Sequence, residues 1–466
     1  MGMEWERGSN LVQKIFLGLA TPASKGDQLK AVVELTGLLV TNGTTLGAVL
    51  VFAMGVGRLL LHGVQSTFDL GLAMALGLEA VFYLQCKFKS RKLFETKAGF
   101  PASEEMRKQL LDAALADKTI IDSIPGWFLD NECGPVTLGQ ARDWLAWYGF
   151  GHYLHDLDVS QRNELDARLE QLQHKHGIRF SDAVAQGQPM RLTLDNVFYQ
   201  HKPLILYGLV NFIQGTAALM LRGMGFHRFY AARSSYWYLE KSSEQEPILF
   251  VHGIGIGLPM YLIMIQRLIA IHPNRSIVLL ELPSISMVPT TKVHDAATAT
   301  AAIDVIVQRH RLAPFALVGH SYGTFMASWL LKNRPKFVAR AMLIDPVCFA
   351  LWEPTLIRSF IYRPGSGFVQ RLVRYFVSGD LFVANSLARN FSWAENALLP
   401  RDISCPITVF LSRQDFIVDA NVIQAYLTRC MAENPTLEIS FILKSEYTHG
   451  SLLLDFQGYD NFLGDI

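Results

Sequence analysis

The chain has 466 residues, which is too long for a single hydrophobic core and indicates a main domain with appended segments. Half of the residues are hydrophobic and only 18% are charged, so we expect part of the apolar excess to contact lipid. The formal net charge of +1 argues against a nucleic-acid partner. The five cysteines are scattered and lack C-x-x-C spacing, which excludes a disulfide framework and a zinc site and favours free thiols in a reducing compartment.

Residues 1–97 are predicted to form a helical, membrane-associated anchor. The first candidate transmembrane helix, 35–57, has 23 residues without a charge. The second, 68–86, contains an apolar run from Leu70 to Cys86 that only Glu79 interrupts. Each is close to the roughly 20 residues that cross a bilayer as a helix. A buried helical hairpin in a soluble domain is the alternative.

Basic residues flank this pair of apolar runs, whereas the loop between them holds few charges. Lys14, Lys25 and Lys30 precede the first run, and five basic residues follow the second: Lys87, Lys89, Arg91, Lys92 and Lys97. Because cytosolic flanks of membrane helices are enriched in Lys and Arg, we expect both ends of the hairpin to lie in the cytosol. The remaining chain would then face the cytosol from a membrane such as the endoplasmic reticulum or the lipid-droplet surface.

The next region, 98–235, is predicted to be helical and carries no chemical motif. Its helix-like stretches are Glu104–Ala116, Leu138–Tyr148 and Val159–His174. A third apolar segment, 203–221, is uncharged and is followed by Arg222, His227, Arg228 and Arg233. Basic residues beside an apolar helix suit an anionic membrane surface. An interfacial or packing helix is therefore favoured over a full span, which would move the second half of the chain to the other side of the membrane.

From residue 236 to 466, short apolar runs alternate with helix-length segments, a pattern typical of a mostly parallel sheet covered by helices on both faces. The candidate strands are Ile248–Val251, Ser276–Leu280, Phe315–Val318, Ala341–Ile344, Ile407–Leu411 and Leu437–Leu443. The candidate helices are Pro259–Ile271, Ala296–His310, Tyr322–Asn333 and Val422–Glu433. The sequence therefore predicts an α/β domain in this half of the chain.

The sequence Gly319-His320-Ser321-Tyr322-Gly323 has the pattern G-x-S-x-G. A short apolar strand precedes it and a helical stretch follows it, which is the context of a nucleophile elbow. A sharp strand-to-helix turn would lift the Ser321 hydroxyl above the sheet edge, with a helix N-terminus beneath any anion formed there. Ser321 is the predicted nucleophile.

A nucleophilic serine needs a base and an acid. His449 is the only histidine downstream of Ser321, and it follows the last predicted strand. Asp415, which follows the strand Ile407–Leu411, is the favoured acid. Asp419, a candidate helix cap, and Asp345, at the end of the preceding strand, remain the alternatives.

Two backbone N–H groups are needed to stabilise a tetrahedral oxyanion. Tyr322, the residue after the nucleophile, is one predicted donor. Ile254 is the other, because it lies in the glycine-rich stretch His252–Gly257 directly after the first strand. That stretch lacks the G-x-G-x-x-G spacing of a dinucleotide site.

Four motifs together resemble the α/β-hydrolase fold serine hydrolases: Leu249–Gly253, Gly319–Gly323, Ser412–Asp415 and His449-Gly450. The resemblance implies hydrolysis of a carboxylic ester, thioester or amide through an acyl-enzyme, without a cofactor or metal. It also implies a helical cap, for which the aromatic insertion 346–405 is the candidate. This cap is expected to pack its inner face on the core. A lipid-contacting lid over an acyl site is the alternative, and both imply an apolar pocket.

The resulting prediction is a membrane-anchored, lipase-like esterase whose substrate is a lipid or another hydrophobic ester. Acyl transfer by the same acyl-enzyme is an alternative, although no histidine is followed five residues later by an aspartate, the H-x-x-x-x-D element linked to acyltransfer. A catalytically silent lipid-surface scaffold is a further alternative, which the presence of both Ser321 and His449 disfavours. Epoxide or haloalkane hydrolysis would need an aspartate in place of Ser321.

Overall fold

A computed structural model describes residues 67–95, 103–117, 119–129, 136–183, 187–232, 234–241, 245–362, 367–455, 458–464 and 466. The first candidate transmembrane helix, 35–57, lies outside these residues. The chain divides into two compact units. The first unit comprises Met1–Ser90, Tyr199–Leu206 and Pro364–Leu381, and the second comprises Arg91–Phe198, Tyr207–Arg363 and Phe382–Ile466.

The longer helices follow the predicted apolar periodicity, and several are capped by side chains. In chain order they are α1 (Thr67–Leu93), α2 (Glu104–Ala116), α3 (Leu138–Phe150), α4 (Val159–His176), α5 (Leu204–Gly223), α6 (Leu262–Ile271), α7 (Ala296–His310), α8 (Gly323–Asn333), α9 (Leu381–Arg389) and α10 (Ala420–Glu433). Thr137 and Asp158 cap α3 and α4 through capping boxes, which satisfy backbone N–H groups that a helix start leaves unpaired.

Eight strands form one sheet in the second unit. They are β1 (His227–Ala231), β2 (Ser234–Leu239), β3 (Ile248–Val251), β4 (Ile277–Leu280), β5 (Phe315–His320), β6 (Val338–Ile344), β7 (Ile407–Ser412) and β8 (Ile439–Lys444). Their spatial order is β1-β2-β4-β3-β5-β6-β7-β8. The β1–β2 and β2–β4 pairs are antiparallel, and all the other pairs are parallel. The carboxyl ends of β3, β5, β6 and β7 therefore meet at one edge, where the site lies.

Helices cover both faces of this sheet. Alternate residues of a strand therefore pack into two different cores, one on each face. Leu249 and Val251 of β3 belong to the core that includes α7, α8 and α10. Ile248 and Phe250 belong to the opposite core, which α6 covers. Strands buried on both faces read as continuous apolar runs, which explains why the central strands were predictable.

The first two strands were not predicted, and the predicted domain boundary at residue 236 falls inside β2. Strand β1 is an edge strand whose side chains are mostly exposed, so it lacks the apolar run that marks the central strands. Its antiparallel partner β2 continues the sheet to β4 through the pairing of Tyr236 with Leu280.

The helical region 98–235 does not form a separate core. Trp127, Trp144 and Trp147 are buried together with Trp393 from the predicted cap, and the rings of Trp147 and Trp393 lie 5.3 Å apart. The Trp127 indole N–H donates to the carbonyl of Trp352, at 2.9 Å. Residues 346–363 and 382–405 of the predicted cap therefore share the core of the second unit, whereas Pro364–Leu381 belongs to the first unit.

Two of the described helices, within α1 and α5, are long and apolar enough to cross a membrane by length and composition alone. The same test is passed by buried helices of soluble proteins, so it is only a weak indication of membrane association. In the first unit, the carboxylate of Glu79 in α1 lies 2.9 Å from His201 and accepts the Leu204 N–H at the start of α5. The one carboxylate of the second apolar run is thus paired.

Candidate active site

Ser321 lies on a sharp turn between β5, which ends at His320, and α8, which begins at Gly323. Its φ of 51° is in the left-handed region, which is unfavourable for a serine and is found where the surrounding structure enforces it. The hydroxyl of Thr324 donates to the Ser321 carbonyl at 2.7 Å and accepts the Val347 N–H at 3.1 Å. These bonds hold the turn in its strained conformation.

Gly323 is required by close packing, because a Cβ at this position would clash with the carbonyl oxygen of Val251 in β3. We expect Gly323→Ala to lower the free energy of unfolding by about 1–3 kcal/mol through overpacking, and to reduce activity by moving the elbow. Gly208→Ala in α5 is the matched control, because a Cβ there would have no described atom of the chain within 4 Å. Thermal unfolding measures how much stability each of the two variants loses. An equal loss for Gly323→Ala and Gly208→Ala would contradict the close packing of Gly323 against β3.

The predicted nucleophile, base and acid are brought together at the carboxyl edge of the sheet. The Ser321 hydroxyl donates to His449 Nε2 at 2.8 Å. His449 Nδ1–H donates to Asp415 Oδ2 at 2.6 Å. The other Asp415 oxygen accepts the N–H groups of Ile417 and Val418, which fixes the carboxylate. This arrangement can remove the serine proton and stabilise the imidazolium that results.

The two alternative candidates for the acid, Asp419 and Asp345, have other hydrogen-bond partners. Asp419 caps α10 by accepting the N–H groups of Asn421 and Val422. Asp345 is buried at the end of β6 and accepts the Ser412 N–H at 3.2 Å and the Gly450 N–H at 2.9 Å. Asp345 therefore ties together the loops that carry Asp415 and His449, while Asp415 makes the direct bond to the imidazole.

The charges around His449 favour its protonated form. Burial lowers the pKa of His449, but the charge of Asp415, the hydrogen bond to it and the charge of Asp345 outweigh burial and raise the pKa above its ordinary value. Burial raises the pKa of Asp345, and the nearby Asp415 charge adds to that effect, against the lowering effect of His449. A protonated His449 would thus be stabilised chiefly by Asp415.

The two predicted oxyanion donors are in the loop after β3, at Ile254, and directly after the serine, at Tyr322. Gly253 N–H donates to the Tyr261 hydroxyl, and Gly255 N–H donates to the Ile285 carbonyl. Among the described residues, no hydrogen bond is found for the N–H of Ile254, which lies between them, or for the N–H of Tyr322. A Cβ added to Gly253 would lie 3.0 Å from the Ser321 Cβ, so this loop packs directly against the elbow.

Two further residues near the site were not predicted. Tyr261 accepts the Gly253 N–H and donates to Nδ1 of His320 at 2.7 Å. His320 is fully buried, and its Nε2 lies 3.9 Å from Asp345. Burial holds the pKa of His320 well below its ordinary value, with the charges of His449 and His252 adding to the effect, so His320 is neutral. His320 occupies a variable position of the motif, and Tyr261 lies in an apolar helix start, so neither carried a sequence signal.

Within the described part of the chain, one group of side chains is close enough to hold a metal ion, namely Asp345, Asp415 and His449, whose ligand atoms lie within 4.8 Å of one another. Both His449 nitrogens already take part in hydrogen bonds, to Asp415 and Ser321. Asp345 accepts the N–H groups of Ser412 and Gly450, so each of the three groups already has hydrogen-bond partners within the protein.

The cysteines of the described residues, Cys86, Cys348, Cys405 and Cys430, are free thiols. Burial raises the pKa of the Cys348 thiol to about 12, which makes it a poor nucleophile.

The comparisons with known proteins agree with the fold. A profile described as "Alpha/beta hydrolase family" matches residues 248–432. A search of curated protein sequences finds no significant match. The chain is similar to a proposed aryl esterase from Burkholderia cenocepacia, at 16% identity and a TM-score of 0.38, covering 52% of this chain and 97% of that one.

Two other solved structures are similar to this chain at comparably low sequence identity. One is a membrane phospholipase A described as a bacterial virulence factor, at 18% identity and a TM-score of 0.37, covering 56% of this chain and 94% of that one. The other is the acylaminoacyl peptidase of Pyrococcus horikoshii, at 16% identity and a TM-score of 0.35. The match covers 51% of this chain and 40% of that one. Likeness this distant says nothing about the substrate of this chain. The sheet order, the helices on both faces and the family match together show that the second unit has the α/β-hydrolase fold.

Proposed function

We propose that this chain is a membrane-associated serine hydrolase that cleaves carboxylic esters of hydrophobic, lipid-like substrates through an acyl-enzyme. The observation that carries the proposal is the position of His449, which accepts the Ser321 hydroxyl at 2.8 Å while donating to Asp415 at 2.6 Å. A serine in a strained elbow with an oriented base is the arrangement that nucleophilic acyl transfer requires.

In the first half of the reaction, Ser321 Oγ attacks the ester carbonyl carbon as its proton passes to His449 Nε2. The N–H groups of Ile254 and Tyr322 would donate to the oxyanion of the tetrahedral intermediate. Collapse of the intermediate breaks the bond to the alcohol, which takes the proton from His449. Water then attacks the acyl-enzyme by the same route and releases the carboxylic acid and free Ser321.

The lipid-like substrate and the membrane are supported by apolar surface and by the cap. In the first unit, α1 exposes Leu70, Met74, Leu78 and Val81 along one helix. In the second unit, the predicted cap contributes buried aromatic side chains, among them Phe349, Phe382 and Phe391. An exposed apolar helix and an apolar interior are each features of enzymes that take their substrates from a lipid phase.

A comparison of lipid extracts from cells that express the full chain or its Ser321→Ala variant tests the substrate class. We expect one class of lipid ester to be depleted by the active chain, with free fatty acid formed in matching amount. Transfer of the acyl group to a new ester, without free fatty acid, would favour the acyltransferase alternative. Extracts that do not differ, together with no hydrolysis of long-chain esters by the purified chain, would overturn the proposal.

A further inference from the structure

Helix α5 presents two faces of opposite chemistry. One stripe is buried in the second unit at helical spacing: Tyr207, Val210, Ala217 and Leu221, with Gln214 on the same side. The opposite stripe is apolar and exposed in the described structure: Leu209 53%, Phe212 68%, Leu219 64% and Met220 52%. A contiguous apolar surface of this kind on a single helix indicates an interaction surface.

The chemistry of α5 favours a lipid bilayer as the partner. The helix carries no acidic side chain, and its only charged residue is Arg222, near its C-terminal end. The exposed His227 follows shortly after it. Because the buried stripe packs along the second unit from Tyr207 to Leu221, α5 cannot also be surrounded by lipid as a span. An apolar face with a cationic end suits a helix lying in the interface of an anionic bilayer.

Gln214 connects this helix to the loops around the oxyanion donors. Its side-chain amide donates to the carbonyl of Ile256 at 3.0 Å and to the carbonyl of Ser286 at 2.9 Å. Both N–H groups of one amide are thus used to hold two loops, the one after β3 and the one after β4. A cavity of about 350 Å³ beside these bonds is lined by α5 and by the same two loops.

The two loops are also bonded to each other, and the loop after β3 packs against Ser321. Gly255 N–H donates to the Ile285 carbonyl, and Leu282 N–H donates to Nε2 of His252. Gly253 packs against the Ser321 elbow. A displacement of α5 at Gln214 would therefore shift the backbone segment that holds the Ile254 N–H.

We propose that the outer stripe of α5 (Leu209, Phe212, Leu219 and Met220) lies in the surface of an anionic bilayer, and that Gln214 is a positioning residue that links this helix to the oxyanion loop. The catalytic part of this inference rests on the proposed function, whereas the lipid contact stands apart from it. The membrane-facing helix and the oxyanion donors are thus coupled through a single amide.

Lipid contact is tested with the full chain in nanodiscs of phosphatidylcholine and phosphatidylserine that contain a phosphatidylcholine with a diazirine in its acyl chain. After irradiation, we expect lipid adducts on peptides that cover Leu209–Met220. Adducts on the N-terminal apolar segment 35–57 serve as the positive control. If that segment is labelled and α5 is not, the stripe is covered by protein, from this chain or a second copy, and the proposal is overturned.

The outer stripe is next tested by activity. Phe212→Ser is expected to reduce hydrolysis of a long-chain ester in the nanodiscs by about tenfold, because an interfacial helix loses affinity for lipid with each apolar side chain removed. Hydrolysis of the water-soluble p-nitrophenyl butyrate should not change. Val159→Ser, at an exposed valine of α4, is the control and should affect neither substrate. Equal losses on both substrates would contradict a membrane-contact role.

The link between Gln214 and the oxyanion loop is tested with Gln214→Met, which keeps the side-chain length but removes both N–H donors of the amide. We expect kcat for p-nitrophenyl butyrate to fall by about 10–100-fold with KM unchanged, since small displacements of a catalytic donor have effects of this size. The inhibition constant of an alkyl trifluoromethyl ketone, whose hemiketal oxyanion occupies the oxyanion hole, should rise by the same factor. The exposed Gln266→Met in α6 is the control.

A merely structural role of Gln214 would lower the unfolding temperature without this parallel change in kcat and inhibitor affinity, and would overturn the link. The proposed function can fail separately. If the chain were not an ester hydrolase, neither ester would be hydrolysed by the wild-type chain, while the lipid adducts on α5 would still form.

Discussion

Ser321→Ala is expected to lower kcat/KM for ester hydrolysis by about 10⁶-fold and to abolish labelling by a fluorophosphonate probe. The loss is this large because the variant has no side-chain atom that can form the acyl-enzyme, and His449 has no serine proton to accept. Residual hydrolysis would come from the oxyanion donors acting on bound ester and water. Stopped-flow or steady-state hydrolysis of p-nitrophenyl butyrate measures the effect.

The control for this variant is Ser440→Ala, a substitution at an exposed serine of β8 whose hydroxyl bonds only to Thr408 in the described structure. It should keep full activity and full probe labelling. Labelling of the Ser321→Ala chain at the wild-type rate would show that another residue is the nucleophile, and the enzyme proposal would fail for this site.

Asp415→Asn is expected to lower kcat by about 10⁴-fold, since the amide cannot hold the His449 tautomer in which Nε2 accepts the serine proton. The variant also changes the pH profile. Only neutral His449 can act as a base, so kcat/KM of the wild-type chain should rise with pH through the His449 pKa, which lies above the ordinary histidine value. Removal of the Asp415 charge removes the main cause that raises this pKa, so the rise should shift to lower pH.

Asp345→Asn is the matched comparison, because Asp345 is the other carboxylate beside His449. An asparagine there can still accept one of the two N–H bonds from Ser412 and Gly450, while the other N–H loses its acceptor. We expect a loss of about tenfold in kcat/KM and lower thermal stability, in line with the cost of one unpaired buried donor. If Asp345→Asn were the more damaging of the two variants, the acid would have to be reassigned to Asp345.

Much of the fold could be predicted because its signals are local. Central strands such as β3 and β7 are buried on both faces and read as unbroken apolar runs, so their bounds were close to those observed. The edge strand β1 was missed since its exposed side chains carry no such signal. The start of the sheet was therefore placed too late in the chain, at β3 instead of β1.

The catalytic roles remain predictions, for which the structure supplies the distances among Ser321, His449 and the candidate carboxylates. The order Ser321, Asp415, His449 could be read from the chain, yet three carboxylates follow strand ends and could each have served as the acid. The distances favour Asp415 as the acid, because Asp415 contacts the imidazole while Asp345 binds backbone N–H groups and Asp419 caps a helix.

The sequence by itself determined the elbow at Ser321, the strand-and-helix alternation around it and the apolar character of α5, because each depends on residues that are neighbours in the chain. Only the tertiary structure decided that Trp127 and Trp147 share a core with Trp393, and that Gln214 binds the loops after β3 and β4. These contacts join segments far apart in the chain, and an apolar helix has the same periodicity whether it crosses lipid, lies on lipid or packs on protein. The protein partners of Gln214 show that one side of α5 packs on protein, and tertiary packing sets those partners.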